Sequence, residues 1–210
     1  MLDRTRIERF DVLDVHHGSL PALVLAPPEV GHDVPVCLFL YGGGGNAETL
    51  LSLEPLLRQA WQEHSVPPVI VGCLGVPPFC FYLDAPAHGM FWQHAVGHGL
   101  LLAVREHFAR EASPTRAALV GISMGGYGAL KIAFSEPHRF SSVAAVAPML
   151  EPSERSELVP LRNRFHYPEM VPAVLLGPQR DVSLAAADHP ISRARCNVAA
   201  IRSAALAIRF

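Results

Sequence analysis

The chain has 210 residues, half of them hydrophobic and 17% charged, with a formal net charge of -2 at pH 7. This describes a compact globule with one substantial core and excludes a disordered chain or two large domains. Without a basic stripe or an acidic tail it fits no nucleic acid and no membrane surface, and a small neutral or mildly polar substrate suits it best.

The charged start, Met1 to Arg6, is not followed by an apolar stretch of signal-peptide length, and runs such as Val34 to Tyr41 are strand-sized. Cys37, Cys73, Cys80 and Cys196 are scattered, with neither metal-ligand spacing nor a disulfide framework. Free thiols in a reducing cytoplasm are expected, with no metal and no cofactor.

In chain order, Phe10 to Val15 and Leu20 to Ala26 flank His16-His17-Gly18-Ser19, a hairpin pattern that places about 7–26 at a sheet edge. Val34 to Tyr41 reads as a strand covered on both faces and runs into Gly42-Gly43-Gly44-Gly45-Asn46. A helix is predicted from about Ala47 to His64, and the next buried strand is Val69 to Cys73. After a Pro/Gly/aromatic loop, Gln93 to Arg110 carries Val96, Leu100, Val104 and Phe108 at four-residue steps, a helix face. Ala117 to Ile122 is a third buried strand, a helix to about Ser135 follows, and Ser141 to Val146 is a fourth strand. Strands alternating with helices, each strand apolar throughout, predict one α/β domain over 1–210 with a mostly parallel sheet covered by helices on both faces. No element is clear within 151–181, which is expected to form an excursion over the active-site end.

Gly121-Ile122-Ser123-Met124-Gly125 matches G-x-S-x-G between a predicted strand and a predicted helix. A serine hydroxyl must stand clear of the sheet to reach a base. A sharp strand-to-helix turn achieves this by straining the serine backbone. Residues two before and two after then lie so close that only glycine fits. Ser123 is therefore the candidate nucleophile. The tetrahedral intermediate needs two N–H donors, one from the residue after the nucleophile and one from the first strand–helix loop. That nominates Met124 and Gly43, with Gly44 as the alternative; losing one such donor costs about 3–4 kcal/mol of transition-state stabilisation. The glycine run is not a phosphate loop, because it lacks a Lys-Ser/Thr ending and the G-x-G-x-x-G spacing.

On these residues the chain resembles the putative-esterase group of α/β hydrolases, which includes esterase D (S-formylglutathione hydrolase), enterochelin esterases and antigen 85 mycolyltransferases. Leu38 to Asn46, Phe81 to Pro86, Gly121 to Leu130, Glu136 to Phe140 and Ala145 to Pro148 carry the resemblance, which spans about Val34 to Phe210. It implies an α/β-hydrolase fold and cofactor-free hydrolysis of a carboxylic ester or thioester through an acyl-Ser123 intermediate. An acyltransferase of the same fold and a degenerate, non-catalytic remnant are the alternatives.

The same resemblance implies an acid beyond a later strand and a histidine beyond the last one. Asp188 to Ala204 looks like the penultimate helix and Leu206 to Phe210 like the strand before the acid, so the chain reads as C-terminally truncated, without its last strands and helix. The exposed edge would then favour a homo-oligomer or a complementing chain. Within the chain, Glu151, His166 and His189 are the recruits that follow Ser123 in the order Ser…Asp/Glu…His. Tyr41, where relatives place a histidine, and Gly99, where they place a glutamate, depart from the pattern and bear on loop support and helix strength. His94 and His98, four apart on a predicted helix, lack a third ligand and read as surface or interface residues. Phe79, Phe81, Tyr82 and Trp92 read as sheet-edge packing, and Asp84 as a hydrogen-bonding residue of its loop.

Overall fold

The structure is a computed structural model that describes residues 5–28, 32–86, 89–108, 112, 115–150 and 188–210. Strands β1 (Arg6–Asp14) and β2 (Gly18–Ala26) form an antiparallel hairpin, paired from Arg6↔Ala26 to Asp14↔Gly18. At its turn the Asp14 carboxylate accepts the His16 and His17 amides, both at 2.9 Å. β2 then pairs antiparallel with β4 (Ile70–Leu74).

The remaining main strands are β3 (Val36–Leu40), β7 (Ala117–Ile122), β8 (Phe140–Val146) and β9 (Ala207–Arg209). They run parallel to one another and to β4, giving the order β1-β2-β4-β3-β7-β8-β9. All residues of β3 and β4 are buried, which is why both read as unbroken apolar runs. A separate two-stranded ribbon joins β5 (Asp84–Ala85) to β6 (Met90–Phe91).

From β3 the chain moves outward to β4, whereas from β7 it moves outward to β8 on the other side. The strand order therefore reverses between β3 and β7. In open α/β sheets the crevice at the carboxyl ends of two such strands is where ligands bind.

Three helical regions differ from the sequence expectation. The segment after the glycines opens as a 3-10 helix, Ala47–Leu53, and becomes α-helix α1 only at Glu54–Gln62. Pro55 explains the break, because it has no N–H and its ring clashes with the carbonyl four residues back, so it fits only the first turn of a helix. Helix α2 spans 92–107 and contains a wide π-type turn at Ala95–Leu100. Gly97 and Gly99 lie in that turn, while Val96, Leu100, Val104 and Phe108 are all buried on the predicted face. The C-terminal helix is two: α4 (Pro190–Cys196) and α5 (Val198–Ser203). They part at Asn197, whose side-chain amide donates to the Phe134 carbonyl at 2.8 Å, at the end of α3 (Met124–Ser135). Among the described residues no helix is long and apolar enough to cross a membrane.

Candidate active site

Ser123 joins β7 to α3 with φ 56° and ψ -114°, a left-handed backbone that costs a non-glycine residue about 1–3 kcal/mol. Three backbone bonds hold it there. Its N–H donates to the Val146 carbonyl at 2.9 Å, and its carbonyl accepts from Tyr127 at 3.1 Å and Met149 at 3.0 Å. A Cβ at Gly121 would overlap the Gly125 carbonyl, and one at Gly125 would overlap the Leu40 carbonyl. Glycine at both positions is a steric demand of the turn, because the end of β7 packs against the first turn of α3 and that turn against the end of β3.

The glycine loop after β3 lies alongside. A Cβ at Gly42 would stand 3.4 Å from the Ser123 Cβ and from the Ile122 carbonyl oxygen. Gly43 and Gly44 are exposed, and the Gly45 amide closes the turn onto the Gly42 carbonyl at 3.2 Å. The loop is supported from beneath by Tyr41, whose hydroxyl donates to the Val76 carbonyl and accepts from the Val76 amide, both at 2.7 Å. Tyr82 donates in turn to the Tyr41 carbonyl at 3.0 Å. Burial pushes both phenols above their ordinary pKa, so they act as fixed hydrogen-bonding groups.

Of the three acid and base recruits, Glu151 and His166 lie outside the described residues, as does the predicted excursion at 151–181. His189 caps α4: its Nδ1 accepts from the Ile191 amide and its Nε2 donates to the Leu150 carbonyl, both at 3.1 Å. With both ring nitrogens engaged, His189 is a helix cap in this arrangement and not a partner of Ser123. Among the described residues no carboxylate or imidazole hydrogen-bonds the Ser123 hydroxyl.

Asp84 precedes Ser123 and serves its own loop, accepting the Gln93 and His94 amides at 2.9 and 3.2 Å at the start of α2. His94 and His98 stack loosely, and His98 pairs with Arg139. Burial, with the Arg139 charge adding to it, lowers the His98 pKa. Among the described residues no group of three or more His, Cys, Asp or Glu could hold a metal ion.

The aromatic residues do not share the one role expected of them. Phe81 and Tyr82 are buried core, Trp92 stacks on His17 at 3.7 Å, and the Phe79 ring lies on Gly43. Sequence reasoning also passed over Lys131, which is fully buried in α3 and donates to Asp188 at 2.6 Å. A lone lysine inside Ala129-Leu130-Lys131-Ile132-Ala133 was the available signal, since a charge in an all-apolar helix needs a buried partner.

The structure resembles the fluorophosphonate-binding serine hydrolase F of Staphylococcus aureus, with a TM-score of 0.71 at 17% identity over 97% of this chain and 78% of that one. It also resembles an S-formylglutathione hydrolase from Agrobacterium tumefaciens, with a TM-score of 0.67 at 19% identity over 97% and 85% of the two chains. At these identities the likeness establishes the α/β-hydrolase fold. In sequence, the chain is 43% identical over 81 residues to the S-formylglutathione hydrolase of Paracoccus denitrificans, a match covering 35% of this chain and 27% of that protein. The chain thus matches little more than a quarter of that curated relative's length. The family model described as Putative esterase matches residues 20–203. Spanning most of the chain, that match shows that it belongs to the Putative esterase family.

Proposed function

We propose that this chain is a serine esterase that hydrolyses a carboxylic ester or thioester through an acyl-Ser123 intermediate. The observation that carries the reading is the strained Ser123 turn standing beside the exposed glycine loop at the point where the strand order reverses. Strain on one serine, bracketed by glycines that the packing demands, is the expected state of an activated nucleophile.

In this reading the Ser123 oxygen bonds to the substrate carbonyl carbon while its proton passes to a base. The alcohol or thiol then leaves with a proton, and water cleaves the acyl-serine bond. The amide of Met124, first residue of α3, and that of Gly43, or Gly44 in its place, stabilise the oxyanion. Glu151 and His166 follow Ser123 in the order the fold requires; an alanine at either that lowers kcat by about a hundredfold or more would assign it to the triad. The substrate is a small molecule, with S-formylglutathione a natural thioester to include because the Paracoccus relative bears that name. All four cysteines are free, three of them buried, which supports a reducing, cytoplasmic setting.

A fluorophosphonate probe with p-nitrophenyl acetate tests the reading. Labelling at Ser123, and loss of both labelling and turnover in Ser123→Ala, is the expected result. A folded wild-type chain that is not labelled, with hydrolysis unchanged in Ser123→Ala, would leave a non-catalytic member of the family. Product analysis with added alcohol separates hydrolysis from acyl transfer.

A further inference from the structure

The loop after β4 holds three bulky residues in the left-handed region: Phe79 (φ 56°), Phe81 (φ 50°) and Tyr82 (φ 52°). Side chains that branch into rings adopt this backbone only where their surroundings enforce it. For two of the three the surroundings are plain. Phe81 is fully buried edge-on against Tyr127, with ring centroids 5.5 Å apart, and Tyr82 is buried with its hydroxyl on the Tyr41 carbonyl.

Phe79 is different. It is only half-buried, and its ring lies directly on the glycine loop. A Cβ at Gly43 would stand 2.5 Å from the ring Cε1 and 2.6 Å from Cδ1, so the ring fills the space a side chain would take there. Gly42, one residue earlier, is the residue that abuts Ser123. The ring is also held in register. The Tyr41–Val76 hydrogen bonds fix the start of its loop, and the Cys80 amide closes a turn onto the Pro77 carbonyl at 3.3 Å.

We infer that Phe79 is a specificity-determining residue, the wall that limits the acyl group of the substrate to a few carbons. The inference rests on the esterase reading of Ser123. An acyl carbon bonded to Ser123, with its oxygen on the Gly43 amide, must carry its chain past the glycine loop, and the face of Gly43 is already covered by the Phe79 ring. A short acyl group clears the ring, whereas a long one meets it. Strain kept at a half-exposed position, one glycine away from the strained Ser123 turn, fits a residue retained for selectivity more than for stability.

The test compares p-nitrophenyl acetate, butyrate and octanoate as substrates of the wild-type chain, Phe79→Ala, Phe79→Gly and Phe79→Trp, with thermal unfolding followed in parallel. Each methylene admitted to an apolar subsite is worth roughly a factor of four. The octanoate-to-acetate ratio of kcat/KM should therefore rise about tenfold or more in the alanine and glycine variants and fall in the tryptophan variant. Glycine suits a positive φ, so Phe79→Gly keeps the comparison open if the alanine variant unfolds. A ratio within twofold of wild type in folded variants, or a wild-type chain that takes octanoate as well as acetate, overturns the inference and leaves the esterase reading standing. Absence of any Ser123-dependent turnover in the wild type removes both.

Discussion

Lys131 and Asp188 form an ion pair inside the protein, with the ammonium donating to the carboxylate at 2.6 Å and Lys131 wholly inaccessible to solvent. The two residues tie the helix behind Ser123 to the start of α4. Asp188 has a second partner in Arg193, at 2.9 Å, which is half-exposed, whereas Lys131 has no other hydrogen-bond acceptor among the described residues. The pair is thus asymmetric, and so are its expected mutants.

Asp188→Ala strands a buried ammonium, and breaking a buried pair in this way costs about 3–5 kcal/mol. Lys131→Met removes the buried charge, keeps the volume and leaves Asp188 with Arg193, so its loss should be clearly smaller. Burial pulls the Lys131 pKa below its ordinary value, and the Asp188 charge opposes that pull. Without Asp188 the folded-state pKa falls further below the unfolded one, folding releases a proton, and stability is regained as pH rises. The Asp188→Ala deficit should therefore shrink between pH 7 and pH 10 in denaturant titrations. Equal losses in the two variants, or a deficit that grows with pH, would contradict this account.

Ser123 offers a direct comparison of strain with function. Its φ of 56° is fixed by hydrogen bonds to Val146, Tyr127 and Met149 that involve only backbone atoms. Ser123→Ala keeps the strain, whereas Ser123→Gly relieves it. The glycine variant should be more stable than the alanine variant by about 1 kcal/mol or more, with both unlabelled by a fluorophosphonate. Equal melting temperatures would mean that the turn is not strained.

The parts of the fold legible in the sequence are those whose physics is local. β3 and β4 are covered on both faces, so every residue is apolar or small and the strands read without ambiguity. The Ser123 turn is legible because its steric demand falls on Gly121 and Gly125, two residues to either side. The break before α1 was written in Pro55, although the apolar pattern of Ala47 to His64 concealed it. What the sequence hid depends on distant partners. Lys131 and Asp188 are 57 positions apart, and no local pattern pairs them. Phe79 carries no mark of its left-handed backbone, since nothing but its neighbours in space enforces it. The wide turn of α2 was equally hidden, its glycines Gly97 and Gly99 being compatible with an ordinary weak helix.

The four cysteines should separate cleanly by reactivity. Burial pushes the thiols of Cys37 and Cys80 up to about 12 and that of Cys73 higher still, while Cys196 is exposed at the end of α4. The thiolate is the reactive species, so iodoacetamide at pH 7.5 should add a single label, at Cys196, and three more only after unfolding. Rapid labelling of Cys73 in the native chain would mean that the centre of the sheet opens.

His189 distinguishes a structural role from a chemical one. As a cap it needs one acceptor for the Ile191 amide and one donor for the Leu150 carbonyl, both of which an asparagine side chain can supply. As a general base it would need a titrating imidazole, which asparagine lacks. His189→Ala should cost about 1 kcal/mol of stability through the lost cap, and His189→Asn should recover most of it. Leu150 adjoins Met149, whose amide bonds the Ser123 carbonyl, so the alanine variant should also lower esterase turnover a few-fold by loosening that neighbour. In the asparagine variant turnover should stay close to wild type, with the pH dependence of kcat/KM unmoved. A loss of about a thousandfold in His189→Asn, with the alkaline plateau abolished, would instead make His189 the base, and the cap geometry would then be only one of two states of that ring.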